Sequence, residues 1–225
     1  MITPETALAA LKTYSNPEKA GQMAAYHKVD REYLGVSNPQ IDACCKEWRA
    51  SCDVAERLAI SHHLWASDIH EARIAAAKLL TQARIKDDGP VWAEISSWVP
   101  QFDAWAIADH ACSAGARRLS ADPARLDEVE GWTRDDSLWV RRAALVITLP
   151  WTKSNHPKPA ELEQRDRILG WAASYVPDQQ WFIQKAISWW LRSLSKHDPD
   201  RVRAFVEQYG DGMRAFARKD ATKYL

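Results

Sequence analysis

Ala72-Arg73-Ile74-Ala75-Ala76 is the stretch by which the rest of the chain is read. Two later stretches repeat its shape, Val140-Arg141-Arg142-Ala143-Ala144 and Ile183-Gln184-Lys185-Ala186-Ile187, each setting small or aliphatic residues where helices pack closely. Anchored on Ile74, Arg142 and Lys185, with Trp105 of Asp103-Ala104-Trp105-Ala106-Ile107 as the fourth member, the spacings are 31, 37 and 43 residues. Units of that length suit stacked pairs of helices, which bury their apolar faces against neighbouring pairs. The repeat is degenerate, so an irregular helical bundle stays open beside it, and both readings are all-α.

Outward from those stretches, capping residues before prolines mark helix starts at Asn16-Pro17, Asn38-Pro39, Asp122-Pro123 and Asp198-Pro199. Amphipathic spacing predicts helices over 53–66, 68–84, 102–120, 136–149, 160–175, 179–196 and 199–209, within a total of about a dozen. Glycine is scarce, at 8 of 225 residues, while good helix formers are plentiful. The expectation is a single domain over residues 1–225, an all-α solenoid of HEAT-like helical repeats.

Thirty basic residues cancel thirty acidic ones, so global charge supplies no bias toward a polyanion. The distribution is uneven, however, since residues 181–225 hold nine Lys/Arg against five Asp/Glu. Twelve tryptophans exceed what a core of this size needs, which predicts that some face something else. The four cysteines, Cys44, Cys45, Cys52 and Cys112, have no paired metal-site spacing, and the first residues lack a basic and then apolar leader pattern. A cytoplasmic, reduced protein with no membrane span is expected, and a monomer.

Trp105 and Asp109 stand four residues apart in a predicted helix, which sets an indole and a carboxylate on one face. Trp189 lies four residues beyond Lys185, so Asp109 and Trp189 occupy equivalent repeat positions while Trp105 and Arg142 occupy the other. Equivalent positions of a solenoid line one surface. Two indoles, a carboxylate and an arginine on that surface would suit glycosidic cleavage of a cationic nucleoside, whose charged base leaves without a general acid. An anion and aromatic faces would stabilise the oxocarbenium-like sugar. The same residues also fit core aromatics, a carboxylate paired with a neighbouring arginine, and an internal arginine ladder.

At these positions the sequence resembles the bacterial AlkD family of DNA alkylation-repair glycosylases over most of its length. The likeness rests on Ala20-Gly21-Gln22-Met23-Ala24-Ala25-Tyr26-His27-Lys28 with Tyr33-Leu34-Gly35-Val36 and Pro39, on Trp105 and Asp109 in a Trp-x-x-x-Asp spacing, and on Leu138-Trp139-Val140-Arg141-Arg142. The most specific part is Phe182-Ile183-Gln184-Lys185-Ala186-Ile187-Ser188-Trp189, where Ser188 stands in place of the family's glycine. The resemblance implies a concave DNA-binding face, with Asp109 as catalytic carboxylate, Trp105 and Trp189 against the deoxyribose, and Arg142 on a phosphate. Arg141 falls one position off the register and is the lesser phosphate candidate, while Lys185 and Arg192 are further DNA-binding candidates. Trp190 is expected to turn away.

The implied activity is hydrolysis of the N-glycosidic bond of 3-methyladenine and 7-methylguanine in double-stranded DNA, by a monofunctional glycosylase of base excision repair that grips backbone and sugar without a base-flipping pocket. No cofactor is expected, because there is no glycine-rich phosphate loop, and His62, His63 and His70 lack the spacing and acidic partner of a metal site. A non-catalytic relative that binds branched or damaged DNA and a protein-binding scaffold are the alternatives. The first would be expected to have lost the carboxylate or the tryptophans, and the second predicts no salt-dependent DNA binding.

Overall fold

The computed structural model describes residues 2–225, and among these there are thirteen α-helices and no strand. The chain forms two compact units, the first ending at Ala121 and the second running Asp122–Leu225.

The first unit contains α1 (Pro4–Lys12), α2 (Pro17–His27), α3 (Asn38–Ser51), α4 (Val54–Ala66), α5 (His70–Leu80), α6 (Gly89–Trp98) and α7 (Trp105–Ala121). Helices α3, α5 and α7 pack side by side in one layer, and α1, α4 and α6 form the other, with α4 against α5 and α6 against α7. This is the paired-helix arrangement that the repeated Ala-rich stretches predict. In α5 every residue of Ala72-Arg73-Ile74-Ala75-Ala76-Ala77 is buried, because two helices close on it from opposite sides and only small side chains leave them room.

The second unit contains α8 (Leu126–Trp132), α9 (Leu138–Val146), α10 (Pro159–Ser174), α11 (Trp181–Leu194), α12 (Pro199–Tyr209) and α13 (Ala215–Ala221). Helices α9, α11 and α13 pack in sequence, with α8 on α9 and α12 on α10. Seven of the twelve tryptophans are core residues, among them Trp48, Trp98 and Trp190, so the surplus inferred from the sequence comes down to five.

The capping signals place the helix starts with two adjustments. Asn16 and Asp198 cap α2 and α12, their carboxamide and carboxylate oxygens accepting from Lys19 and Arg201 backbone N–H groups. Asn38, by contrast, is already inside α3; Ser37 precedes it, and its backbone N–H donates to Gln40 Oε1 at 2.9 Å. Asp122 opens a short 3-10 turn, Pro123–Arg125, ahead of α8.

Buried arginines tie these layers together by collecting carbonyls that helix ends leave without partners. Arg73 of α5 donates to Trp65 O at 3.2 Å and pairs with Asp68 at 3.1 Å. Arg118 of α7 reaches Gln82 O and, at 3.1 Å, Ala83 O in the α5–α6 loop, and pairs with Asp88 at 3.0 Å. In the second unit Arg165 of α10 donates to Trp151 O (2.7 Å) and Ser154 O (2.6 Å) and pairs with Asp198 at 3.3 Å. Each guanidinium is desolvated yet has an aspartate within reach, the condition under which a buried charge is tolerated.

The turn Tyr33-Leu34-Gly35-Val36 is fixed from below by Glu71 of α5. This carboxylate is fully buried and accepts three consecutive backbone N–H groups, from Leu34 (2.9 Å), Gly35 (2.7 Å) and Val36 (3.2 Å). Gly35 has φ +75°, and a Cβ there would meet Asn16 O at 2.2 Å, so only glycine fits.

Candidate functional site

Helix α7 begins at Trp105, one turn before Asp109, and the segment leading into it is held by Arg31. The Arg31 guanidinium is shielded from solvent and bridges Asp103 to Asp68, the latter at 3.3 Å, so the entry to α7 is anchored to the entry of α5. Trp105 and Asp109 are both half-buried and line one cavity of about 230 Å³ in the first unit.

The other walls come from helices that no local spacing connects. Tyr26 and His27, at the end of α2, and His70, at the start of α5, join His110 beside Asp109. The rings form a continuous aromatic wall. Tyr26 meets Trp105 edge to face at 6.2 Å, His27 lies 5.6 Å from Trp105 and 4.5 Å from His70, and Tyr33 backs His70 at 4.8 Å. Tyr26 is 70% exposed, a large apolar ring left in solvent at the cavity's edge.

All three histidines titrate below the ordinary imidazole range. Burial is the main cause for each, and for His70, pushed down to about 3, the neighbouring His27, Arg31 and His110 add to it. The histidine wall is therefore uncharged at neutral pH. His27 Nδ1 is buried without a hydrogen-bond partner. Among the described residues no group of three or more His, Cys, Asp and Glu side chains could hold a metal ion. None of the four wall residues was assigned to the site from the sequence: Tyr26 and His27 entered only within a segment of the resemblance, His70 only as a metal ligand set aside, and His110 only as the neighbour of Asp109.

In the second unit the remaining candidates lie on α9 and α11. Arg142 is 3% exposed, within the helix layer. Arg141 folds back on the chain before α9, donating to Asp135 O (2.6 Å) and Asp136 O (2.8 Å) and pairing with Asp178 at 3.1 Å. Trp189 is half-buried while Trp190 is fully buried, its indole N–H donating to Thr148 Oγ1 at 3.2 Å, so the two adjacent tryptophans do face differently.

Lys185 and Arg192 share one partner, Asp220 of α13, at 3.6 and 2.5 Å. Ser188 donates to the same carboxylate at 2.9 Å. Burial works against the charge on Asp220, but the hydrogen bonds from Ser188 and Arg192 and the two cations outweigh it and hold the carboxyl below its usual range. Ser188, where the resemblance implies a glycine, thus has a definite partner.

Helix pairs stacked in two layers, with an indole and a carboxylate one turn apart in a cavity, define a helical-repeat protein with a candidate active site. Residues 7–225 match the family model described as DNA alkylation repair enzyme, and the chain belongs to that family. Among solved structures it is similar to a predicted DNA alkylation repair enzyme from Enterococcus faecalis, at 22% identity over 94% of this chain and 96% of that one, with a TM-score of 0.78. It is also similar to AlkD2 from Streptococcus mutans, at 16% identity over 93% and 98% of the two chains, with a TM-score of 0.61. At such identities these likenesses establish the AlkD-type helical-repeat fold. No curated protein matches the chain significantly.

Proposed function

We propose that the protein is a monofunctional DNA glycosylase that releases 3-methyladenine and 7-methylguanine from alkylated double-stranded DNA. The observation that carries this reading is the cavity in which Trp105 and Asp109 stand together beneath an uncharged aromatic and histidine wall, in a member of a DNA alkylation repair enzyme family.

Alkylation at N3 or N7 puts positive charge on the purine, so the C1′–N bond breaks with the base as a neutral leaving group. The charge then passes to the deoxyribose. Asp109 stabilises that oxocarbenium-like sugar and orients the water that adds to C1′ and gives up a proton to solvent, while the face of Trp105 contacts the sugar. Trp189 is a further deoxyribose contact, made from the second unit. The neutral histidines add no positive charge beside the carboxylate. Arg142 holds a phosphate, with Arg141, Lys185 and Arg192 as further backbone contacts. Chemistry directed at the sugar needs no rotation of the base into a pocket, unlike most enzymes that act on bases, and none of the steps draws on a cofactor.

Methylated duplex DNA, incubated with purified protein, tests the reading by chromatography of the freed bases. Wild type releases 7-methylguanine and 3-methyladenine, Asp109→Asn is slower by roughly 100- to 1,000-fold, the cost of one transition-state electrostatic group, and Trp189→Ala is also slower. Full activity in Asp109→Asn, or no release by wild type, overturns the assignment. Salt-sensitive DNA binding without release would instead favour a non-catalytic binder of damaged DNA.

A further inference from the structure

Helix α11 carries a pattern whose first member, Trp181, the reaction does not use. Trp181, Lys185, Trp189 and Arg192 recur at positions that a helix of 3.6 residues per turn brings onto one face, and Lys196 continues the series just beyond its end. Aromatic and cationic residues alternate along this stripe. Helix α13 flanks it, with Phe216 against Trp181 and Asp220 against Lys185 and Arg192, and beyond its end Tyr224 lies beneath Lys196 at 4.3 Å.

Trp181, at the beginning of the stripe, is 48% exposed although its ring is firmly held. Phe216 stacks on it at 5.6 Å with 22° between the planes, and Phe182 meets its edge at 4.8 Å and 90°. Phe182 is braced in turn by Trp139 at 4.6 Å. The Arg214 guanidinium lies 5.6 Å from the Phe216 ring, and its backbone N–H is pinned by the buried Gln184 at 2.9 Å. An immobilised indole, stacked on one side and left in water elsewhere, is the form of a stacking platform rather than of a core residue.

We propose that Trp181, backed by Phe216 and flanked by Arg214, stacks a nucleobase that has left the duplex, at a gap, a branch or a frayed end. An apolar protein side chain could also cover an indole, but the cationic stripe beside it and the positive excess of residues 181–225 complement a polyanion. Trp181 stands eight residues from Trp189, roughly 12 Å along the helix, a few nucleotides from the sugar contact assigned above. The inference rests on the reading of DNA as the partner.

The test compares fluorescence anisotropy of a labelled, fully paired duplex with that of the same duplex carrying a three-nucleotide single-stranded extension. Wild type binds the extended duplex more tightly. Trp181→Ala removes that margin, a loss of roughly 5- to 150-fold, the contribution of one stacked base, and leaves affinity for the paired duplex and release of 7-methylguanine from it unchanged. Trp181→Phe keeps most of the margin, which separates loss of stacking from loss of fold. Equal affinity of wild type for the two duplexes, or an equal loss on both in Trp181→Ala, overturns the platform while leaving DNA binding intact. Failure of wild type to bind either duplex overturns the DNA reading itself, and the platform with it.

Discussion

His70 shows what a single residue costs when its environment forbids charge. Unfolded, its imidazole takes a proton near pH 6.5; folded, burial and the neighbouring His27, Arg31 and His110 push that down to about 3. Below pH 6.5 the unfolded chain therefore binds a proton that the native protein refuses, and stability falls steadily as the pH drops toward 3. His27 and His110 shift in the same direction. Asp220, with its lowered pKa, loses its stabilising charge only in the more acidic range below the ordinary carboxylate value, so the histidines account for the upper part of the slope. Urea unfolding between pH 7 and 4.5 is expected to show a falling midpoint in wild type and a shallower fall in His70→Phe. An unchanged slope would mean that the histidine wall is hydrated and titrates normally.

At the scale of the element, the α2–α3 turn depends on a residue 35 or more positions away. Three consecutive amides of Leu34, Gly35 and Val36 are satisfied by Glu71 alone. Glu71→Ala leaves them buried without partners, at about 1–3 kcal/mol for each orphaned group. That is a large part of a typical domain's 5–15 kcal/mol, so the urea midpoint should drop severely, and Glu71→Gln, which keeps one acceptor oxygen, should lie between. This dependence explains what the sequence could and could not disclose. The helices were legible, since α4, α10, α11 and α12 begin and end within about two residues of the predicted segments, because caps and apolar spacing are local properties. Trp105 with Asp109 was legible for the same reason, as one turn of one helix. Tyr26, His27 and His70 were not, since their meeting with Trp105 depends on how α2, α5 and α7 pack. The segment Phe182–Trp189 was recognised as a unit, yet its physical content appeared only in the fold: Gln184 pins two loops, and Lys185 and Ser188 meet Asp220.

For the molecule as a whole, a net charge of zero says little about where charge is available. Arg118 and Arg165 are spent inside, the first against Asp88 and the second against Asp198, which Arg201 shares, and Lys185 and Arg192 share one carboxylate in the second unit. Asp220→Asn keeps a partner for Ser188 and releases both cations. DNA binding by this variant is expected to tighten at low salt, and its plot of log K against log salt to steepen by about 0.9 for each phosphate newly engaged. An unchanged slope would show that neither cation reaches DNA.

The buried arginines bear on how freely such a protein can be recombined. Arg118 belongs to α7 but serves the carbonyls of Gln82 and Ala83, in the loop before α6, so the loop that closes one helix pair is completed by a side chain from the next. At this junction two helix pairs that look like interchangeable bricks are mortared together by the later one. A chimaera joined between α5 and α7 inherits a loop from one parent and its guanidinium from the other, and the natural crossover points lie elsewhere, where no arginine reaches back across the junction.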